Sequence, residues 1–154
     1  SGPMFCWGAN DFGQLGDGDS LGHAGHPVPI PVIGNLQFTA ITADDDATCA
    51  LTAQGAAYCW GLSFQQAGAF IGPPPNFSPA PVGNGTPLRA IATNAQSACG
   101  LTTGGSAVCW GWSYYAGNGY PYYPGNQPGF YPLPVAVAPP GYTIPNGYGF
   151  DRHR

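Results

Sequence analysis

The chain has 154 residues, a length that can bury the core of one domain, but only 6% of them are charged, against about 25% in ordinary soluble proteins. It has no lysine and no glutamate; seven aspartates face three arginines, Arg89, Arg152 and Arg154, for a formal charge of -4. So few cations cannot neutralise a phosphate backbone, which excludes nucleic-acid binding through a basic surface. The lack of glutamate, with three histidines, leaves acid–base catalysis almost without candidates.

Glycine (25) and proline (18) approach the level of low-complexity chains, yet 14% aromatic residues argue for a packed fold. Every apolar run is broken by Pro, Gly or a polar residue well short of the roughly 20 residues of a membrane span. The first residues carry neither an initiator Met nor a leader pattern, and the chain reads as a processed chain or a fragment.

In chain order, the first feature is Gly2 to Gly8, a Gly-x-x-x-Cys-Trp-Gly string that recurs at Gly55 to Gly61 and Gly105 to Gly111, at spacings of 53 and 50 residues. Repetition at this period indicates stacked structural units. A half unit spans 1–18, full units span about 19–61 and 62–111, and 112–154 is a degenerate half repeat with a Gly/Pro/Tyr-rich tail. Within a full unit one strand is expected after Pro31-Val32 or Pro81-Val82. A second is expected near Phe38 to Ile41 or Leu88 to Ile91, and two more form a hairpin.

That hairpin carries the cysteines. Cys49 precedes Cys59, and Cys99 precedes Cys109, by ten residues, with Ala53-Gln54-Gly55 and Thr103-Gly104-Gly105 between them. A three-residue loop with Gly at a positive-φ position sets Cys49 opposite Cys59 and Cys99 opposite Cys109. Directly opposed residues of a non-hydrogen-bonded pair lie about 4.5 Å apart, within disulfide reach. The spacing predicts two bridges; the competing reading is four buried thiols packed as small hydrophobes. A metal site is disfavoured, because metal-ligand pairs sit closer in sequence. The bridges imply an extracellular or cell-surface protein. Cys6 has no partner ten residues upstream; it is unpaired, joined to a neighbouring molecule, or parted from a partner outside the chain.

Cys6-Trp7-Gly8-Ala9-Asn10-Asp11-Phe12-Gly13-Gln14-Leu15-Gly16-Asp17-Gly18, with the later Pro-Val and Thr48-Cys49-Ala50-Leu51-Thr52, resembles the regulator-of-chromosome-condensation repeat. The Asn-x-x-Gly-Gln-Leu-Gly stretch is its most specific element. It erodes to Gly61-Leu-Ser-Phe-Gln-Gln-Ala-Gly68 in the second unit and to Gly111-Trp-Ser-Tyr-Tyr-Ala-Gly-Asn-Gly119 in the third. The resemblance implies an all-β chain, an incomplete β-propeller of four-stranded blades with an irregular Gly/Pro/Tyr-rich C-terminal segment. Family members serve in nucleotide exchange on a nuclear GTPase, in light sensing and in β-lactamase inhibition, and the fold does not choose among these. Trp7, Trp60 and Trp110 hold one equivalent strand position and read as blade-to-blade packing; Trp112 falls outside the repeat.

Asp44-Asp45-Asp46 and Asp17-Gly18-Asp19 could suggest a calcium site. The next unit has Asn94-Ala95-Gln96 at the triplet's position, so a solvated loop is the better reading. Ser20-Leu21-Gly22-His23 forms no nucleophile elbow, and no catalytic residue, metal or cofactor is expected. Asn76 and Asn84 open N-glycosylation sequons, each followed by proline, beside the Pro73-Pro74-Pro75 and Ser78-Pro79-Ala80-Pro81 clusters of a stiff or glycan-bearing loop. Eight of nine tyrosines lie between Tyr114 and Tyr148, a composition suited to an interface, and this segment reads as a docking strap. Together these features predict a non-enzymatic extracellular structural module. It would assemble with copies of itself, or dock on a larger extracellular protein, as a coat or filament with covalent glycans. The alternative is a stretch of a secreted seven-bladed propeller that binds a protein target.

Overall fold

The computed structural model describes residues 3–21, 24–62, 76–93, 97–112 and 130–136, with residue 112 and 130–136 described by backbone alone. The Tyr-rich strap apart from residues 130–136, the eroded loops of the second and third units, the Pro73-Pro74-Pro75 cluster, Gly22, His23 and Asn94-Ala95-Gln96 lie outside the described residues.

Among the described residues, ten strands run in chain order: β1 (Phe5–Gly8), β2 (His26–Pro31), β3 (Phe38–Asp44), β4 (Ala47–Thr52), β5 (Ala57–Gly61), β6 (Asn76–Val82), β7 (Leu88–Thr93), β8 (Ser97–Thr102), β9 (Ala107–Trp112) and β10 (Phe130–Ala136). They form a two-stranded sheet β1-β2 and two four-stranded sheets, β3-β4-β5-β6 and β7-β8-β9-β10, with every pairing antiparallel. The chain is all-β, a partial propeller of four-stranded blades. No helix among the described residues is long and apolar enough to cross a membrane.

The two central hairpins follow from their turn residues. Thr52 donates its N–H to Ala56 O at 3.0 Å, Gly55 donates to Thr52 O at 2.9 Å, and Ala56 N–H reaches back to the Thr52 hydroxyl at 3.2 Å. Thr102, Gly105 and Ser106 repeat the pattern. Gly55 and Gly105 stand at φ of +80° and +88°, where a side chain is strained. The turn fixes the register: Cys49 opposes Cys59 and Cys99 opposes Cys109, each pair with Cα atoms 4.1 Å apart and disulfide-bonded.

Sheet boundaries do not coincide with the repeat units at 19–61 and 62–111. The strands expected after Pro-Val instead run up to or through it, and each pairs backward, β2 with β1, β6 with β5 and β10 with β9. The sheets therefore span 38–82 and 88–136, and residues 130–136, assigned to a degenerate half repeat, supply the fourth strand of the last sheet. Proline explains the phase. Pro27, Pro29 and Pro31 in β2, Pro79 and Pro81 in β6, and Pro132 and Pro134 in β10 recur at every second residue, so their missing N–H groups all fall on one side of the strand. Such a strand can hydrogen-bond on one side only and must lie at the sheet's outer edge, which it also blunts against further pairing.

Ala47, Cys49, Leu51, Ala57, Cys59, Val82, Leu88, Ala98 and Trp110 form one buried cluster drawn from both four-stranded sheets. Leu88 joins them: its N–H donates to Gly55 O at 2.9 Å, and a Cβ on Gly100 would stand 2.5 Å from Leu88 Cδ1, so only glycine admits that side chain.

Candidate functional site

The stretch Asn10 to Gly18 leaves β1 and lies against the second sheet. Asn10, 1% exposed, organises it: Oδ1 accepts Leu15 N–H at 3.0 Å, and Nδ2 donates to Asp17 Oδ2 at 3.1 Å. The Gln14 side-chain oxygen accepts Phe12 N–H at 2.9 Å, while the Gln14 main-chain carbonyl receives two buried donors, Thr48 Oγ1 at 2.8 Å and Trp60 Nε1 at 2.9 Å. Gly18 N–H donates to Phe77 O at 2.8 Å. Gly16 stands at φ +70°, and a Cβ there would come within 2.7 Å of Trp60 Nε1. Each buried bond contributes about 0.5–1.5 kcal/mol net, and leaving a buried donor unmade costs about 1–3 kcal/mol. The loop is thus a joint between sheets.

Asp17 serves the same joint. Beyond Asn10, it accepts Asp19 N–H at 3.0 Å and lies 3.5 Å from His26 Nε2. Asp44, Asp45 and Asp46 end β3 and form the turn into β4, and no group of three metal-ligating side chains occurs among the described residues. Desolvation first, then the charges of Asp45 and Asp11, raises the Asp46 carboxyl above its ordinary range. Asn76 is half-buried and begins β6 opposite Gly61, whereas Asn84 is exposed on a 3₁₀ turn at Gly83–Gly85.

The repeated tryptophans divide. Trp60 and Trp110 are 1% and 0% exposed, but Trp7 is 62% exposed. Phe5 and Val28 are also exposed, and the Phe5 equivalents Tyr58 and Val108 are half-buried. Trp60 packs beside Phe38, ring centroids 5.9 Å apart. Trp110 Nε1 is buried without a hydrogen-bond partner among the described residues. Its surroundings differ from those of Trp60 in a legible way: Thr48, opposite Trp60, becomes Ala98, opposite Trp110.

Cys6 lies on β1 opposite Ile30, free and half-buried, and burial pushes its thiol pKa up. Cys49, Cys59, Cys99 and Cys109 are consumed in pairs. The sequence reading named the cysteines but passed over Asn10, Gln14 and Thr48 as working residues. The signal for them was available in the intact Asn-x-x-Gly-Gln-Leu-Gly stretch and in the exchange of Thr48 for Ala98 between units.

The family model described as "Regulator of chromosome condensation (RCC1) repeat" matches residues 1–51. The structure superposes on Prp20p from Saccharomyces cerevisiae with a TM-score of 0.69 at 19% identity, covering 90% of this chain and 34% of that one. Residues 1–51 are similar to the RCC1 repeat, and the rest of the chain shares the fold of RCC1-type propellers.

Human WBSCR16 is a further structural neighbour, with a TM-score of 0.67 at 21% identity over 94% of this chain and 36% of that one. "RCC1 domain-containing protein RUG3, mitochondrial" of Arabidopsis thaliana is 37% identical over 60 residues, which are 39% of this chain and 13% of that protein. The chain thus spans about a third of its structural neighbours and a smaller share of RUG3. Prp20p is described by its binding to Gsp1p and histones, and as yeast RCC1 bound to Kap60.

These relatives correct the expected compartment. The disulfides were read as placing the chain outside the cell or at its surface; RUG3 is mitochondrial and Prp20p binds histones, so that localisation does not stand. The physical reason lies in the hairpin. A three-residue turn places two cysteines ten apart at bonding distance by register alone, and register carries no information about compartment.

Proposed function

We propose that this chain is a non-enzymatic protein-docking module whose docking face is the half-sheet β1-β2. The observation that carries the reading is Trp7, 62% exposed where its two repeat equivalents are buried, with exposed Phe5 two residues away on the same strand face. Exposed aromatic side chains on one face of a sheet-edge strand favour association. Support comes also from the relatives: Prp20p binds the proteins Gsp1p, histones and Kap60. Asp17 and His26, two groups of a type used in acid–base chemistry, face each other within the joint.

Without its partner, such a face associates with copies of itself. Light scattering on the 154-residue chain over roughly 1–100 μM, a range set by affinities of weak to moderate interfaces, is expected to show mass rising with concentration. Trp7→Ser should suppress the rise while leaving the fold intact, since Trp7 lies outside the core. A chain that is monomeric throughout, with or without that change, overturns the reading.

A further inference from the structure

Among the described residues the half-sheet has an open edge, and the two four-stranded sheets say what fits it. β5 lies between β4 and β6, and β9 lies between β8 and β10. β1 has the same Cys-Trp-Gly sequence and has its proline-bearing neighbour β2, the counterpart of β6 and β10, but no strand on the other side among the described residues. The outer sides of β2, β6 and β10 are blunted by proline; β1 contains none. Met4 O accepts Val32 N–H at 2.9 Å, so by alternation the backbone groups of Phe5 and Trp7 point to the open edge. That leaves Cys6 at a non-hydrogen-bonded position towards that edge, the pairing that Cys59 makes with Cys49 and Cys109 with Cys99.

From this template we propose that the β1 edge receives an antiparallel strand of the β4 type, contributed by a further repeat unit and carrying a cysteine opposite Cys6, and that a disulfide locks it there. The inference rests on the half-sheet being the docking face and specifies its occupant. All five cysteines of the chain are accounted for, four of them in pairs, so the second thiol comes from outside these 154 residues. The other contacts are set by size. Trp60 and Trp110 stand opposite Thr48 and Ala98, Gly61 and Gly111 opposite Ala47 and Ser97, Tyr58 and Val108 opposite Ala50 and Gly100. The incoming strand therefore reads Ala/Ser, Thr/Ala, Cys, Ala/Gly, Leu: small residues beneath Phe5 and Trp7, of which Trp7 becomes buried as Trp60 and Trp110 are.

The covalent step is thiol–disulfide exchange. The incoming cysteine arrives as a mixed disulfide with a small thiol; the Cys6 thiolate, its proton lost to solvent, attacks the incoming Sγ. The Sγ–Sγ bond forms as the small thiolate leaves, and no net oxidation occurs. Burial keeps Cys6 largely protonated, so reaction depends on alignment more than on intrinsic reactivity.

The test uses the 154-residue chain and a synthetic peptide of residues 46–53 whose cysteine carries a chromophoric aryl thiol as a mixed disulfide. Controls are the peptide with its cysteine and the following alanine exchanged, which turns the thiol to the other face, the same aryl disulfide of glutathione, and the Cys6→Ser chain. In-register docking raises the effective concentration, so the aligned peptide should release aryl thiol on the order of tenfold faster than either control disulfide. A non-covalent peptide with serine for cysteine should slow amide exchange at Phe5 and Trp7 and lower the light-scattering mass. Equal rates for all three disulfides overturn the proposal, as does a Cys6-linked dimer that the peptide does not suppress. Self-association that persists and still depends on Trp7 would leave the broader docking reading standing while this occupant fails.

Discussion

The indole of Trp60 and the main chain of Gln14, 46 residues apart in sequence, are joined by a buried 2.9 Å hydrogen bond. Trp110 Nε1 is buried and has no such partner among the described residues. Phenylalanine at each position removes similar volume, but at Trp60 it also orphans part of the Gln14 carbonyl's capacity, whereas at Trp110 it removes an unpaired donor. Trp60→Phe should therefore destabilise by about 1–3 kcal/mol more than Trp110→Phe in urea unfolding. Equal losses would contradict this account of the joint.

Glycine at position 16 is required twice over, by its φ of +70° and by the Trp60 edge 2.7 Å from where a Cβ would stand. Gly105 has φ +88° with nothing within 4 Å of such an atom. Gly105→Ala should cost about 1 kcal/mol from backbone strain, and Gly16→Ala about 1–3 kcal/mol beyond that from overpacking. Melting temperatures of the two variants provide the comparison.

Asn10→Ala strips the buried Leu15 N–H of its acceptor and should cost about 1–3 kcal/mol. Asn10→Asp keeps an acceptor but places a second carboxylate beside Asp17, now 3.1 Å from the amide nitrogen. Mutual repulsion raises the folded-state pKa of that pair, so the native form binds more protons than the unfolded chain. Its stability should be retained below about pH 4 and fall as pH rises through the raised values. Denaturation midpoints at pH 3.5 and pH 7 test the sign.

The two disulfides differ in access. Cys49 and Cys59 are both buried, while Cys99 is partly exposed. Under limiting reductant, mass mapping should find Cys99 and Cys109 alkylated before Cys49 and Cys59. Each closes a loop of ten residues, and its removal should cost about 2–3 kcal/mol.

For Cys6 the sign of the pH effect follows from desolvation, which lifts its thiol above the ordinary 9.0. Alkylation of the native chain should reach half its limiting rate at a higher pH than that of the unfolded chain. The native state holds its proton longer, so stability should be full below the unfolded thiol's pKa and fall as pH rises through the raised one. Cys6→Ser should flatten that alkaline decline.

Sequence alone determined the repeat, the hairpins and the pairing of Cys49 with Cys59 and of Cys99 with Cys109. These are local: ten residues, a Thr, and a Gly with positive φ set register within one hairpin. Tertiary structure decided the rest. It assigned the Pro-Val segments to the preceding sheet, because alternate prolines leave one side of a strand without donors. Asn10, Gln14 and Thr48 became a joint only when two sheets met, since their partners are set by packing between units rather than by spacing within one. The three Cys-Trp-Gly strings are alike as text, and what separates exposed Trp7 from buried Trp60 and Trp110 is which surface lies across from each.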